Sequence, residues 1–375
     1  MGYRILALDA VRGVASIMVV FQHLYLIRPF SFPFGVESVN RLNLFQSSPL
    51  KLFTNGHAAV LAFFILSGLV ISLQMSGQSR SYGEFLTRRF CRIYGPFSVV
   101  IAISFVSHYL ISSPSNLELS DFYNREVWHQ AISGTQLLGH FMMTGVQSDM
   151  RLDVVMWTLV HEVRIYMLFP FLLLAVSQYP KTTLLAAAIV WFGTDLALKG
   201  TRWDGSIGAS LLATAHYLIF FLIGMALAEY KAALQRRNWS DIEIGALLLV
   251  SVIALMSTAT SSLGSELLLG VACTILVGVC VISPAAERIS SNRVIVWLGQ
   301  ISYSLYLVHL LAIAIAIDLL GGIVPMTLVL LLAFIFSLSA AHLLCRFVEI
   351  PSRRIGYKLA SAIQTRNKNL TFVPE

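Results

Sequence analysis

Charge is what this sequence has least of. Of its 375 residues, 12% are Asp, Glu, Lys or Arg, about half the share found in water-soluble domains, while 57% are hydrophobic. A soluble globule of this size is excluded, as is a disordered or fibrous chain, which would not carry that apolar mass. Cysteine is also scarce. Cys91, Cys273, Cys280 and Cys345 lie in or beside apolar runs, none of them in an expected outer loop. With no CxxC pair and no Cys/His cluster, neither a disulfide framework nor a metal site is expected. Cys273 and Cys280, seven residues apart on one helix face, read as small core residues. No internal repeat is visible, which argues against a transporter built from inverted halves. The N-terminal apolar run after Arg12 has no small-residue cleavage site and contains His23, so it reads as a retained first span rather than a secretory signal.

What the sequence does have is a succession of apolar runs long enough to cross a bilayer. They lie at about 7–28, 57–76, 93–112, 154–177, 182–199, 207–229, 240–258, 264–283, 297–318 and 322–347. The expected fold is all-α: a polytopic transmembrane helical bundle of about ten spans, with no room for a separate soluble domain. Residues 1–355 would form the bundle and 356–375 a basic cytoplasmic tail, suited to a helix on the inner leaflet. The stretch 139–145 reads as a short re-entrant piece. Ten spans put both termini on one side. With that side inside, seventeen Lys/Arg fall on inner segments and seven on outer ones, Arg12 and Arg164 lying within spans. This is the positive-inside bias, and both termini are therefore expected to be cytoplasmic. The net charge of +7 is then a topology signal, and no nucleic-acid partner is expected. The longest outer loop, about 113–153, carries Glu118, Asp121, Glu126, Asp149 and Asp153 with Tyr123 and Trp128. It reads as a solvated face, or as an acidic, aromatic-bearing surface that receives sugars.

Ionisable residues at membrane depth are costly and mark function by default. In the first span, Leu8-Asp9-Ala10-Val11-Arg12-Gly13 is followed by His23. Eleven residues at 100° each return His23 to within about 20° of the Arg12 face, about 16 Å along the axis. The guanidinium would sit near the inner mouth and the imidazole deeper on the same wall. Alone, Arg12 reads equally as snorkelling to headgroups and His23 as a satisfied interior histidine; on one stripe they read better as a functional pair. Arg88, Arg89 and Arg92, at the inner end of the third span, are guanidinium forks suited to phosphate or a positive-inside anchor. In Trp157–Tyr166, Thr158, Glu162 and Tyr166 share one stripe, while His161 and Arg164 lie on another face. Glu162 reads as the orienter of a histidine, as a base, or as a partner for an arginine. The run Gly299–His309 holds Ser302, Tyr303, Ser304, Tyr306 and His309, more polar groups than packing demands. Glu349-Ile350-Pro351 reads as a helix stop with a local ion pair.

In this order the motifs resemble the membrane-bound acyltransferase-3 family. Arg12 with His23 is similar to its Arg-(ten residues)-His signature, and Phe63-Phe64-Ile65-Leu66-Ser67-Gly68 to its second-span FFxLSG element. Arg88–Pro96 resembles its RRxxRIYP stretch, Trp157–Tyr166 its W-S-L-x-x-E-x-x-F-Y motif, and Ile301–His309 its ISYSxYLxH, with Glu349-x-Pro351 closing the pattern. Departures are Thr158 for serine, Ile165 for phenylalanine, Gly95 before Pro96 and Val308 for tryptophan.

The resemblance implies transfer of an acyl group, most often acetyl, from a cytosolic donor such as acetyl-CoA to a hydroxyl. The acceptor would be a surface glycan or glycolipid precursor at the bacterial inner membrane, and no permanently bound cofactor is implied. Arg12, Arg88, Arg89 and Arg92 would hold the donor's phosphates. His23 would be the base or the transient acyl carrier, with Glu162 setting its tautomer or stabilising its cation. Ser302, Tyr303, Tyr306 or His309 would face the oxyanion or the acceptor. Acyl transfer to a small metabolite and, from another class, a flippase for an anionic glycan carrier are the alternatives.

Overall fold

The protein is described by a computed structural model covering residues 5–27, 49–75, 81–111, 119–126, 132–146, 151–201, 205–257 and 262–371. Among these residues every regular element is helical and there is no strand. The helices are α1 (Leu6–Ile27), α2 (Gly56–Met75), α3 (Tyr82–Leu110), α4 (Asp121–Glu126), α5 (Gly134–Met142), α6 (Met156–Gln178) and α7 (Pro180–Thr201). They continue with α8 (Ile207–Arg236), α9 (Asp241–Ser257), α10 (Leu263–Ile282), α11 (Pro284–Ser290), α12 (Arg293–Leu320), α13 (Met326–Leu344) and α14 (Ile350–Thr371).

Nine of the described helical segments have the length and apolarity to cross a membrane, against about ten expected. The exception is the run at 240–258. It forms α9, of which 17 residues are described, at the lower end of the length that crosses a bilayer, and which opens on Asp241 and Glu243. The third span also departs from expectation. Ser81 caps α3 by accepting the Glu84 N–H at 3.3 Å, which starts the helix at Tyr82, below the apolar run. Arg88, Arg89 and Arg92 are therefore helical residues of the span itself.

Two close helix crossings set the interior. On α1 and α12, a Cβ at Gly13 would stand 2.8 Å from the Gly299 nitrogen, and one at Gly299 would stand 2.6 Å from the Asp9 carbonyl. On α2 and α8, Gly68 lies against the Phe221 carbonyl and Gly224 against the Ile65 carbonyl, leaving no space for any side chain. Small residues that let backbones touch are the usual means of holding helices together where lipid removes the hydrophobic drive. Glu287 of α11 adds an anchor, its carboxylate accepting the Leu6 and Ala7 N–H groups at 2.9 and 3.0 Å, where the N-terminal end of the α1 dipole favours negative charge. On the outside of the bundle Phe171, Ile189, Phe192, Leu196, Ile253 and Leu331 are exposed, a surface suited to acyl chains and not to water.

Glu349-Ile350-Pro351 does not stop a helix. Cys345–Glu349 forms a turn of π-helix in which the Ile350 N–H reaches back to the Cys345 carbonyl. This extra residue in the turn accommodates Pro351, which has no N–H to give, and the chain runs on as α14. The tail is thus helical to Thr371 and docks on α3. A Cβ at Gly356 would stand 2.9 Å from Cys91 Cβ, and one at Gly95 would collide with Ser352, so the glycine before Pro96 sits where α14 crosses.

The segment 113–153 is not simply a solvated face. Tyr123 is buried and its hydroxyl donates to Asp318 at 3.0 Å. Asp153 is buried too, and burial raises its carboxyl well above the usual range. His140 Nε2 accepts the Leu152 N–H at 2.8 Å, and burial lowers this ring to about 3, so it stays neutral and structural. The expected re-entrant piece corresponds to the end of α5, where Met143 turns left-handed at φ 50°. Glu118, Trp128 and Asp149 lie outside the described residues. All four cysteines are free thiols, with Cys273 and Cys345 buried.

Candidate active site

A polar column runs through the bundle between α1, α2, α3, α6 and α12. Its middle is a cavity of about 40 Å³, lined by the polar groups of Arg12, Ser67, Thr158, Glu162, Ser302, Tyr303 and Tyr306 and walled by Val60, Phe63, Phe64 and Leu159. That is space for a water or two. Glu162 is held at its centre, with Ser67 Oγ donating to Oε1 at 3.0 Å and the Tyr166 hydroxyl donating to the same oxygen. Tyr306 and Thr158 share a hydroxyl–hydroxyl bond of 2.7 Å, and both approach the Val155 carbonyl at 3.2 Å. Tyr303 donates to the Ile93 carbonyl at 2.8 Å.

One end of the column is cationic. Arg12, Arg89 and Arg92 all lie within electrostatic reach of Glu162 and Tyr166, and Arg92 also of Glu349. Arg89 donates to Gln74 Oε1 at 2.8 Å and lies over the Tyr166 ring at 5.4 Å. Arg12 and Arg92 make no hydrogen bond to any described residue. Three guanidinium groups thus lie near the carboxylates of Glu162, Glu349 and Asp9, and those of Arg12 and Arg92, with no hydrogen bond to a described residue, have donor N–H groups to spare for an anion.

The other end holds His23 and His309. His23 Nδ1 is 3.0 Å from the Val19 carbonyl and 3.0 Å from His309 Nε2, and His309 Nδ1 is 3.0 Å from the Leu305 carbonyl. The Tyr306 ring lies 6.1 Å from His309, linking this end to the cavity. Phe122 of α4 lies 5.7 Å from the His23 ring, so part of the 113–153 segment covers the imidazole. His23 Nε2 has no hydrogen-bond partner among the described residues.

The structure therefore gathers Arg12, Arg89, Arg92, Glu162, Ser302, Tyr303 and Tyr306 around one column, with His23 and His309 at its end. It does not bring Arg88 there. Arg88 pairs with Glu84 at 2.7 Å and lies over the Tyr357 ring at 4.9 Å, fastening α14 to α3. Nor does Glu162 contact His23: its oxygen is engaged by Ser67 and Tyr166, while the neighbours of His23 Nδ1 are Val19 and His309. No hydrogen bond joins Glu162 to His23 among the described residues.

His161 and Arg164 face α8, as their separate stripe predicts. His161 Nδ1 bonds Thr214 Oγ1 at 2.8 Å, and Arg164 bonds Ser210, Thr214 and the Thr144 carbonyl, a clamp rather than a site. Sequence reasoning passed over two participants. Ser67 is the one hydroxyl in the otherwise apolar stretch Ala58–Ile71, which is the available signal. Glu349 is 2% exposed and accepts from Ser304 Oγ at 2.7 Å, while its expected ion pair with Arg353 is long at 3.9 Å.

A lipid-facing helical bundle with a cation-floored, histidine-ended column inside it defines a membrane-embedded enzyme. Residues 5–346 match the acyltransferase-3 family model, described as an acyltransferase domain. The chain belongs to that family and is a multi-pass membrane acyltransferase. No curated protein and no solved structure gives a match.

Proposed function

We propose that the protein moves an acyl group, acetyl in the first instance, from a cytosolic acyl-CoA to a hydroxyl of a surface glycan or glycolipid precursor in the bacterial inner membrane. The observation that carries this reading is the polarity of the column, with guanidinium groups at one end and, about 16 Å along α1, an imidazole nitrogen, Arg12, Arg92 and that nitrogen all lacking a hydrogen-bond partner among the described residues. Arg12, Arg89 and Arg92 suit the phosphates of the donor, and an extended pantetheine arm covers a distance of that order.

At the far end His23 Nε2 takes the proton of the acceptor hydroxyl. The hydroxyl oxygen attacks the thioester carbonyl, and the Tyr306 hydroxyl stands beside the path as a donor to the oxyanion. Collapse breaks the C–S bond, and the thiolate leaves with the proton that His23 had accepted, so the ester and a free thiol are the products and no proton is gained or lost. The direction of the handover follows from the positive-inside bias: donor end inside, His23 end outside. Acetyl also suits the small cavity better than a long chain.

The test is radiolabelled acetyl-CoA added to membranes that contain the protein together with the cell's envelope glycans. Label is expected in the glycan fraction, and none there overturns the reading. In the same assay Arg92→Ala is expected to raise the KM for acetyl-CoA about tenfold with little change in kcat, because binding shared by ground and transition states shows in KM. An unchanged KM would remove Arg92 from the donor site.

A further inference from the structure

We infer that His309 is a positioning residue, which together with the Val19 carbonyl holds the Nδ1–H tautomer of His23, in the place a carboxylate occupies in a Ser-His-Asp triad. The inference rests on the reading of His23 as the base. It follows from counting protons around two rings. The Leu305 carbonyl, 3.0 Å from His309 Nδ1, has no hydrogen to give, so His309 Nδ1 carries one. In the neutral ring Nε2 is then a lone pair. His23 Nδ1 faces that lone pair at 3.0 Å and the Val19 carbonyl at 3.0 Å. Both are acceptors, so the proton of His23 sits on Nδ1 and Nε2 is left bare. The bare nitrogen is the one without a partner among the described residues.

The arrangement has a mechanistic consequence. When His23 Nε2 takes the acceptor's proton, the ring becomes a cation, and its Nδ1–H bond to His309 turns into a charge-assisted one. His309 therefore supports the charged ring more than the neutral ring, which is the condition for lowering a barrier. A neutral imidazole does this at membrane depth without the desolvation cost of a second carboxylate. His309 is itself anchored, being fully buried, with its backbone carbonyl approached by Ser337 Oγ at 3.4 Å.

The experiment compares His309→Leu and His309→Gln in the labelled acetyl-CoA assay with envelope glycans. His309→Leu is expected to lower kcat about 100-fold with the KM for acetyl-CoA unchanged. His309→Gln, whose side-chain carbonyl can accept the His23 Nδ1–H, is expected to recover at least tenfold of that loss. In a His23→Ala background His309→Leu is expected to cost nothing further, since a residue acting through another is silent once that other is gone. Equal losses in the leucine and glutamine variants, or a second full loss in the His23→Ala background, show a packing role and overturn the inference. Wild-type kcat in His309→Leu overturns it as well. If wild-type protein transfers no label, the functional reading falls, and this inference with it; if His23→Ala alone is fully active, the base is wrong and His309 positions nothing.

Discussion

Membranes carrying His23→Ala are expected to transfer acyl groups about a thousandfold more slowly than wild type, at equal protein level and with the KM for acetyl-CoA little changed. General-base help is worth about 10² to 10⁴ in rate, and His23 Nε2 is the imidazole nitrogen at the end of the column that no described residue occupies. His140, His161 and His216 do not substitute. His140 accepts the Leu152 N–H, His161 bonds Thr214, and His216 bonds Glu266 at 3.0 Å. The protein should still accumulate and melt normally, because His23 contributes one inter-helix hydrogen bond, worth about 1 kcal/mol. Initial rates of label transfer at saturating donor decide the matter, and full turnover in the variant removes His23 from the chemistry.

Arg12→Ala is the second large effect, and its value lies in separating activity from stability. A buried cation kept for structure is paired and hydrogen-bonded, and removing it costs several kcal/mol. Arg12 makes no hydrogen bond to the described residues, and the like charge of Arg92 offsets the carboxylates of Glu162 and Asp9 within its electrostatic reach. Its removal should therefore leave the melting temperature in detergent unchanged or raise it, while kcat/KM for acetyl-CoA falls about 100-fold, the scale of one lost charge-assisted contact to an anionic substrate. A variant that melts much lower with kcat/KM intact would make Arg12 a structural cation. The contrast with Arg88 sharpens the point, since that guanidinium is already engaged by Glu84 and Tyr357 and belongs to the docking of α14.

Much of this architecture could be read from the sequence because helical periodicity is local. The stripe Thr158–Glu162–Tyr166 and the separate face of His161 and Arg164 follow from 3.6 residues per turn, and the structure sends them to the cavity and to α8 respectively. Arg12 and His23 lie on one unbroken helix, α1, as their run predicts. What periodicity cannot supply is the partner across the bundle. His309 meets His23 only because Gly13 and Gly299 let α1 and α12 touch, and Glu162 is claimed by Ser67 of α2. Glu349-Ile350-Pro351 was misread for a different reason: proline usually ends a helix, and the π turn that lets α13 continue into α14 has no signature in the local sequence.

The account turns on a column that receives a donor at its arginine end and delivers the acyl group at its histidine end. Sealed inverted vesicles test this most directly, with envelope glycan trapped in the lumen and radiolabelled acetyl-CoA confined to the medium, where the cytoplasmic face is exposed. Label is expected on the luminal glycan, and is expected to vanish with His23→Ala. Label found only on glycan added to the medium, with the trapped glycan unlabelled, would contradict it.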